Sequence, residues 1–533
     1  MRDYITIIGG GLAGSEAAYQ IAKKGIKVKL YEMKPDRFSP AHSNKNLAEI
    51  VCSNSFKSNL HTNACGLLKE ELRILDSLLI KIADETAVPA GQALAVDREK
   101  FAEEVTKRIE NMNNIEIIRQ EVGNSFVDNT DDIIISENLT SELKQMAKDG
   151  IVIIATGPLT SDKLFKEILE MTGNDNLYFY DAAAPIIDKS SINMNIAFNG
   201  NRYEQEREKD EDIDVWKNRI ENQDRSYINL PMNKEEYENF WNELVNAEIV
   251  ELHNFEKREI FEGCMPIEIM AKRGMDTLRF GPLKPVGFTD LRTGRRPYAV
   301  VQLRQDNSQG NLYNMVGFQT NLKYGEQKRV FRLIPGLENA EFEKYGVMHR
   351  NTFINSPELL DKSYNLKKNN NIYFAGQLKP TYQFINRDDL FFAGQMTGVE
   401  GYVESIASGL VAGINAVNRY RMLIKDNEIK SNKIDNGSEN NINYNIINEK
   451  AKYTKLETEE NFKIIFPEDT MIGALAKYIS TSNNNFQPMN ANFGILPELP
   501  EKIKDKKAKY AKLADKAIES LKTTIKCYNN ITK

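Results

Sequence analysis

Three glycines and one acid near the start of the chain have the spacing of a nucleotide-binding turn. Residues 5–8 are apolar, the stretch GGGLAG follows, and Glu32 ends the next apolar run eighteen residues after Gly14. Gly9 would make the tight turn, Gly11 would let a pyrophosphate approach the backbone, and Gly14 would allow close helix packing. Glu32 would accept a hydrogen bond from a ribose hydroxyl. Because strand and helix patterns flank the turn, the sequence predicts a dinucleotide site, whereas GxGxxG alone is weak evidence.

Two later stretches indicate which dinucleotide binds. IVIIATG at 151–157 resembles the second strand and turn of two-dinucleotide flavoproteins, and DLFFAGQMTGVE at 389–400 resembles their late turn under the isoalloxazine. Together they favour FAD. Because no second GxGxxG is apparent, NAD(P)H is expected to visit the flavin face without a Rossmann domain of its own. The predicted cofactor-binding residues are Gly9, Gly10, Gly11, Leu12, Ala13, Gly14, Glu32, Thr156, Gly157, Gly394, Thr397 and Gly398.

A local excess of positive charge lies between residues 270 and 335, where twelve Lys and Arg stand against four Asp and Glu in a chain of net charge -6. Such a cluster is usually a solvated face or an ion-pair network, and less often a phosphate-binding surface. Phe288 and Tyr298 could stack on bases there, although aromatics at such positions more often pack internally. The candidate phosphate contacts are Lys272, Arg273, Arg292, Arg295, Arg296, Lys328 and Arg329.

Composition excludes several classes of protein. The chain has 533 residues, 41% hydrophobic and 27% charged, which is ordinary for a globular enzyme, and no apolar run reaches the ~20 residues of a bilayer span. Four scattered cysteines fit neither a disulfide framework nor a zinc knuckle, and the scattered histidines suggest no metal site. No export signal precedes the first strand, so a cytoplasmic protein is expected.

The elements that must position these residues are those of an α/β fold. The first βαβ unit spans residues 5–32, helical periodicity recurs at 66–83 and 98–111, and 151–155 reads as a buried parallel strand. Residues 203–226 are densely charged, and 424–450 are rich in asparagine, which indicates a flexible linker. Residues 360–377 repeat at 378–395, and only the second copy, which continues into TGVEGY, is expected to contact flavin.

Several long stretches together resemble the folate- and FAD-dependent tRNA (uracil-5-)-methyltransferases, which are related to the GidA flavoproteins. They include IIGGGLAGSEAA, AEIVCSNSFKS, FEGCMPIEIMAKRG, FAGQMTGVEGYVESIASGLVAGINA and MNANFGILP, and run from residue 5 to about residue 496. The charged stretch, the first repeat copy and the linker depart from the family pattern as insertions. The resemblance implies that methylenetetrahydrofolate supplies a carbon, reduced FAD supplies electrons, and NAD(P)H reduces the flavin again. Uridine 54 in the T-loop of tRNA would receive the methyl group.

The resemblance also assigns two cysteines. Uracil C5 is a poor nucleophile until a group adds at C6, and a thiolate is well suited to that reversible addition. Cys264 matches the family cysteine expected to attack C6, and Cys52 matches the one placed near flavin as base or carbon relay, although the two roles could be exchanged. Cys65 and Cys527 match no such motif and are expected to be structural.

The predicted architecture is a two-dinucleotide-type, Rossmann-like FAD-binding domain with an inserted α+β domain and a C-terminal helical element. Residues 1–182 and 336–424 would form the FAD-binding domain, 183–335 the inserted domain that contacts RNA, 425–454 the linker, and 455–533 the C-terminal element. Three alternatives remain at this point: the same chemistry on 23S ribosomal RNA, the related modification of wobble uridine in tRNA, and a flavin-bearing RNA-binding protein without turnover.

Overall fold

A strand, a helix and a second strand open the chain in the order that the sequence predicts. The computed structural model describes residues 2–123, 142–172, 177–202, 212, 215, 218, 226–250, 265–290, 292–354, 356, 389–435, 464–481 and 486–531. Cys264, most of the charged stretch at 203–226, the first repeat copy and the later part of the expected linker lie outside these residues.

The strands, in chain order, are β1 (Tyr4–Ile8), β2 (Lys27–Glu32), β3 (Ser55–Ser58), β4 (Ala87–Val88), β5 (Ala93–Val96), β6 (Ile115–Arg119), β7 (Val152–Ile154), β8 (Leu177–Ala182), β9 (Ile186–Asp188), β10 (Phe198–Asn199), β11 (Tyr227–Met232), β12 (Ala299–Gln305), β13 (Leu312–Met315), β14 (Phe342–Lys344), β15 (Met348–Phe353) and β16 (Leu390–Phe392).

The α-helices are α1 (Leu12–Ala22), α2 (Ala64–Ile74), α3 (Leu78–Glu85), α4 (Arg98–Glu110), α5 (Glu142–Asp149), α6 (Asp162–Thr172), α7 (Lys234–Asn246), α8 (Ile267–Lys272), α9 (Thr277–Phe280), α10 (Tyr324–Phe331), α11 (Tyr402–Asp435), α12 (Met471–Ser480) and α13 (Lys506–Ile531).

A five-stranded parallel sheet in the order β16-β7-β1-β2-β6 forms the centre of the first hydrophobic core. The strands at the centre of this sheet are short and almost wholly apolar, as expected where helices cover both faces of a parallel sheet. The carboxyl ends of β1, β7 and β16 lead into the glycine turn, the turn at 155–157 and the turn at 393–398. Ligands of open α/β sheets bind at this edge.

A second core is built on a six-stranded sheet in the order β10-β11-β12-β13-β9-β14, in which the pairings are antiparallel. Its buried side chains come from residues 184–340 and include Tyr237 and Phe240 of α7 and Phe331 of α10. Helices α7 to α10 therefore pack on this sheet and form the α+β body that the sequence predicts inside the flavoprotein fold.

The C-terminal helices pack onto the first core. Leu513 and Leu521 of α13 and Leu475 of α12 are buried in the same cluster as Ile7 of β1 and Leu410 of α11. Helix α11 extends to Asp435 and so includes residues 425–435 of the stretch expected to be a linker, because a helix that is already nucleated extends at little cost through residues such as Lys425 and Glu428.

The helical stretch predicted at 66–83 is two helices. Asp76 has a φ of +58° and interrupts the helix, and the Ser77 side chain then caps α3 by accepting the N–H of Ile80. The predicted helix at 98–111 forms as α4. None of the described helices combines the length and the apolar composition that a bilayer crossing demands.

Candidate active site

The glycine turn faces an open cleft of about 1250 Å³ at the carboxyl edge of the parallel sheet. Eight of the predicted cofactor-binding residues line the cleft: Gly9, Gly11, Leu12, Ala13, Glu32, Thr156, Gly157 and Gly394. Gly10, Gly14, Thr397 and Gly398 lie behind this surface and shape the turns.

Each glycine of the first turn has a different surrounding. Gly9 has a φ of +103°, and a Cβ there would lie 2.5 Å from the Ala155 carbonyl oxygen. A Cβ on Gly14 would lie 1.8 Å from the Gly9 carbonyl oxygen, whereas one on Gly11 would meet no atom within 4 Å. Gly11 therefore borders open space. It is also the N-cap of α1 and offers no side chain to the first N–H groups of that helix. A phosphate could accept hydrogen bonds from those groups.

Glu32 lies at the end of β2 and is 7% exposed. Its Oε2 accepts the N–H of Gly10 at 2.9 Å, and its Oε1 accepts the N–H of Lys34 at 3.0 Å. Each carboxylate oxygen can accept a second hydrogen bond, so Glu32 is fixed in place and can still accept from a ribose hydroxyl. The open face at Gly11, the N–H groups of α1 and this carboxylate fit the diphosphate and ribose of FAD.

A buried polar cluster near Glu32 was missed by the sequence reasoning. Lys34 pairs with Glu49 at 3.2 Å, and His42 lies beside them in the cleft wall. Burial first, and then the charge of Lys34, lowers the pKa of His42. Lys34 follows Glu32 by two residues, and that spacing was the only signal available. These side chains would face the adenosine end of the bound dinucleotide.

Cys52 also lines the cleft, half-buried. The hydroxyl of Tyr402 accepts the N–H of Cys52 at 2.9 Å and the N–H of Ser53 at 3.1 Å. Burial, followed by the proximity of Cys52, raises the pKa of Tyr402 well above its usual value, so the phenol keeps its proton. The structure thus brings Cys52 to the same cleft as Gly11 and Gly394. Tyr402 belongs to the TGVEGY motif but was not recognised as a site residue.

The other described cysteines differ from Cys52. Cys65 is buried and donates to Oε1 of Glu404 at 3.8 Å, and burial, reinforced by that carboxylate, raises the pKa of the thiol to about 11. Such a thiol is unreactive near neutral pH. Cys527 is exposed on α13 and does not line the cleft. Cys264 lies outside the described residues, one position before Met265.

The turn from β16 to α11 is held by the C-terminal element. Thr397 Oγ1 donates to the Gly394 carbonyl at 2.8 Å, and Gly394 N–H donates to Ser408 Oγ at 2.7 Å. A Cβ on Gly398 would lie 2.3 Å from the ring of Phe486, and Met489 exchanges backbone hydrogen bonds of 2.9 Å with this turn. The MNANFGILP stretch therefore stabilises the turn that ends at the cleft.

The seven candidate phosphate contacts divide into two groups. Arg292 pairs with Asp290 and Glu236, and Arg329 pairs with Glu326 and Glu243, as in an ion-pair network. Like these two arginines, the other candidates are exposed: Lys272, Arg273, Arg295, Arg296 and Lys328.

The two aromatic residues suggested for base stacking both contact other side chains of the protein. Phe288 is 4% exposed and packs on Phe198, so the internal alternative is confirmed for it. The ring of Tyr298 lies 3.5 Å from the guanidinium carbon of Arg279. Among the described residues from 270 to 335, the most exposed aromatic side chain is Phe280 of α9, at 80%. Its sequence position gave no signal of this.

Comparison with known proteins agrees with the fold. The family described as glucose inhibited division protein A matches residues 4–381 and 377–423. The crystal structure of GidA from Aquifex aeolicus superposes with a TM-score of 0.55 at 16% identity, over 99% of this chain and 76% of that one. The parallel sheet, the glycine turn and the late turn thus define a flavoprotein of the GidA type.

Proteins of similar sequence identify the family more closely. The methylenetetrahydrofolate--tRNA-(uracil-5-)-methyltransferase TrmFO of Acetivibrio thermocellus is 51% identical over 99% of this chain and 100% of its own length. The protein of the same name from Bacillus pumilus is 50% identical, with the same shares covered. This chain belongs to the TrmFO family.

Proposed function

We propose that the protein methylates C5 of uridine 54 in the T-loop of tRNA, with methylenetetrahydrofolate as carbon donor and reduced FAD as reductant. The observation that carries this proposal is the position of Cys52, which lines the same cleft as the glycine turn and the late turn. The full-length identity of about 50% to the TrmFO proteins supports the choice of substrates.

The overall reaction balances with these reactants. The methylene carbon breaks its bonds to two folate nitrogens, which take up the proton lost from uracil C5 and one proton from the reduced flavin. The carbon bonds to C5 and gains two electrons and a proton, as a hydride equivalent, to become a methyl group. Bound FAD supplies those electrons in its reduced form, and NAD(P)H restores that form. Gly11, Glu32, Thr156, Gly157 and Gly394 would hold the FAD.

The thiols of the chain perform the remaining steps. The Cys264 thiolate would add to C6 and place negative charge on C5, which then attacks the carbon. Cys52 would act as the carbon relay or as the base that removes the C5 proton. Tyr402 fixes the backbone of Cys52 through the hydrogen bonds at 2.9 and 3.1 Å, and so orients its thiol.

We assign the RNA to the second core, whose sheet extends past the predicted boundary at 335 to β14, and the cofactor to the first. Lys272 and Arg273 are exposed beside α9, and Phe280 is the aromatic side chain that an unpaired base can reach. A uridine inside a folded T-loop must be turned outward before a thiol reaches C6.

The experiment incubates purified protein with methylenetetrahydrofolate labelled in its methylene carbon, NADPH, and either unmodified tRNA or a 23S ribosomal RNA fragment. Label in the tRNA alone supports the proposal, and label in the ribosomal fragment alone overturns the tRNA assignment. A protein that binds RNA but incorporates no label with either substrate would be the non-catalytic alternative.

A further inference from the structure

The loop that carries Cys52 is held from two sides. On the cleft side, Tyr402 accepts the N–H groups of Cys52 and Ser53. On the other side, Arg304 of β12, a strand of the second core, hydrogen-bonds to the loop. Arg304 Nη2 donates to Ser53 Oγ at 2.7 Å, and Arg304 Nε donates to Asn54 Oδ1 at 2.9 Å.

The hydrogen bonds between the loop and the end of β12 are buried, and each side donates to the other. Arg304 is 7% exposed and Asn54 is 0% exposed, so water does not compete for these hydrogen bonds. The Asn54 side chain also donates to the carbonyl of Gln305 at 2.9 Å, and to the carbonyl of Val96 at 3.0 Å. Three hydrogen bonds thus join residues 53 and 54 to the end of β12.

A second arginine fixes the residue before Cys52. Arg98 Nη1 donates to the carbonyl of Val51 at 3.0 Å, and its Nε lies 3.0 Å from Oδ1 of Asp306. Asp306 directly follows β12. The end of this strand is therefore connected to the residue before Cys52 and to the two residues after it.

We propose that Arg304 is a positioning residue for Cys52, and that through it the RNA-facing core sets the place of the thiol in the cofactor cleft. The inference rests on the proposed function, in which Cys52 meets reactants held by both cores. Reacting atoms must be placed to a fraction of an ångström, and an error of 1 Å costs about 100-fold in rate. A guanidinium that bridges two side-chain oxygens supplies such placement.

A purely structural contact between the cores predicts a different outcome. If Arg304 only joined the cores, its loss would weaken RNA binding and stability without a specific effect on the loop. If it positions Cys52, kcat falls while KM for tRNA and the flavin content stay the same, and the amide groups of Cys52 and Ser53 exchange faster with solvent.

The test uses the full-length, FAD-loaded protein and the variants Arg304→Gln, Arg304→Lys and Ser53→Ala. Ser53→Ala keeps Arg304 and its bond to Asn54 but removes the hydroxyl that accepts from Arg304 and from the N–H of Ser55, so it decides the matter if Arg304→Gln fails to fold. The matched control is Arg202→Gln, because Arg202 also bonds to β12, but at Gln302 Oε1 (2.8 Å), two residues before Arg304. Each variant is measured for kcat, for KM with tRNA, and for hydrogen exchange of residues 50–58.

We expect kcat to fall about tenfold or more in Arg304→Gln and less in Ser53→Ala, with partial recovery in Arg304→Lys, KM within about twofold, and faster exchange at Cys52 and Ser53. Arg202→Gln should match wild type in all readouts. The inference is overturned if Ser53→Ala, and Arg304→Gln where it folds, keep wild-type kcat and exchange, or if Arg202→Gln loses kcat equally. If the wild-type protein methylates no RNA, the proposed function fails, and the exchange comparison alone decides this inference.

Discussion

At the scale of single residues, the described cysteines differ in their surroundings. Cys52 opens onto the cleft, whereas Cys65 is buried with its pKa raised to about 11. Cys52→Ala should reduce methyl incorporation by more than about 100-fold, a loss typical of groups that act as a unit, while the flavin stays bound. Cys527→Ser is the control and should keep wild-type activity. Wild-type incorporation by Cys52→Ala would remove the role assigned to this thiol.

The exposed and the paired cations should respond differently to substitution. Lys272 is exposed, whereas Arg329 bonds to Glu326 at 2.8 Å and also pairs with Glu243. Lys272→Ala should weaken tRNA binding and reduce the slope of log affinity against log salt by about 1. Arg329→Ala should leave that slope unchanged. Binding titrations between about 50 and 200 mM salt measure both. Equal slopes for the two variants would contradict the different roles given to Lys272 and Arg329.

Phe280 tests base stacking at the same surface. Its ring is 80% exposed, so Phe280→Ala should cost little stability. It should weaken tRNA binding by about 5- to 100-fold without changing the salt slope, because stacking contributes ~1–3 kcal/mol per base. Phe280→Trp should restore binding. Tyr324, 56% exposed on α10, supplies the aromatic control. Unchanged affinity in Phe280→Ala would show that no base stacks there.

At the scale of elements, the glycine turn separates folding from cofactor binding. Gly14→Ala would place a Cβ 1.8 Å from the Gly9 carbonyl oxygen and should lower the melting temperature of the flavin-free protein. Gly11→Ala meets no protein atom within 4 Å, so it should leave that temperature unchanged and weaken FAD binding. Gly325→Ala, in α10 with equally open surroundings, is the control for both. Normal FAD affinity in Gly11→Ala would contradict the phosphate position.

A buried carboxyl links α2 to the C-terminal element and makes stability depend on pH. Glu71 accepts the N–H groups of Met471 (2.7 Å) and Ile472 (2.9 Å) at the start of α12. Burial raises the pKa of Glu71 to about 8 from 4.5, outweighing the effect of these two donors. The folded chain thus binds this proton more tightly than the unfolded chain. The stabilisation is complete below about pH 4.5 and is lost as pH rises toward 8.

Glu71→Gln tests this dependence. At about 1.4 kcal/mol per pKa unit, Glu71 accounts for a decrease of a few kcal/mol in the free energy of unfolding between pH 5 and 8. Glu71→Gln keeps an oxygen acceptor without a charge, so the decrease should be smaller. Urea unfolding at both pH values measures this decrease in the free energy of unfolding. The control is Glu70→Gln, a substitution at the half-exposed neighbouring residue. An unchanged decrease in Glu71→Gln would refute the role of Glu71.

Element prediction succeeded where the pattern was local. The first βαβ unit, α4 and the buried strand at 151–155 follow from apolar spacing and the glycine turn. The break between α2 and α3 did not, because Asp76 adopts a left-handed backbone that its residue type only weakly favours. The internal position of Phe288 depends on its contact with Phe198, ninety residues away in sequence.

At the scale of the whole molecule, the site is assembled from distant segments, and this explains which parts the sequence could predict. The residues around Gly11, Glu32 and Gly394 carry motifs, so their place in one cleft was expected. The contacts of Cys52 with Tyr402, and of its loop with Arg304, join residues 250 to 350 positions apart. No local pattern encodes such contacts, since they depend on how the two cores meet.

The most direct test of the central claim is the position of the transferred carbon. Full-length protein is incubated with methylenetetrahydrofolate labelled in its methylene carbon, NADPH and unmodified tRNA, and the labelled nucleotide is mapped. We predict one labelled methyl group per tRNA, at C5 of uridine 54, and none in a transcript with cytidine at that position. Label at another nucleotide, or equal labelling of both transcripts, would contradict the account.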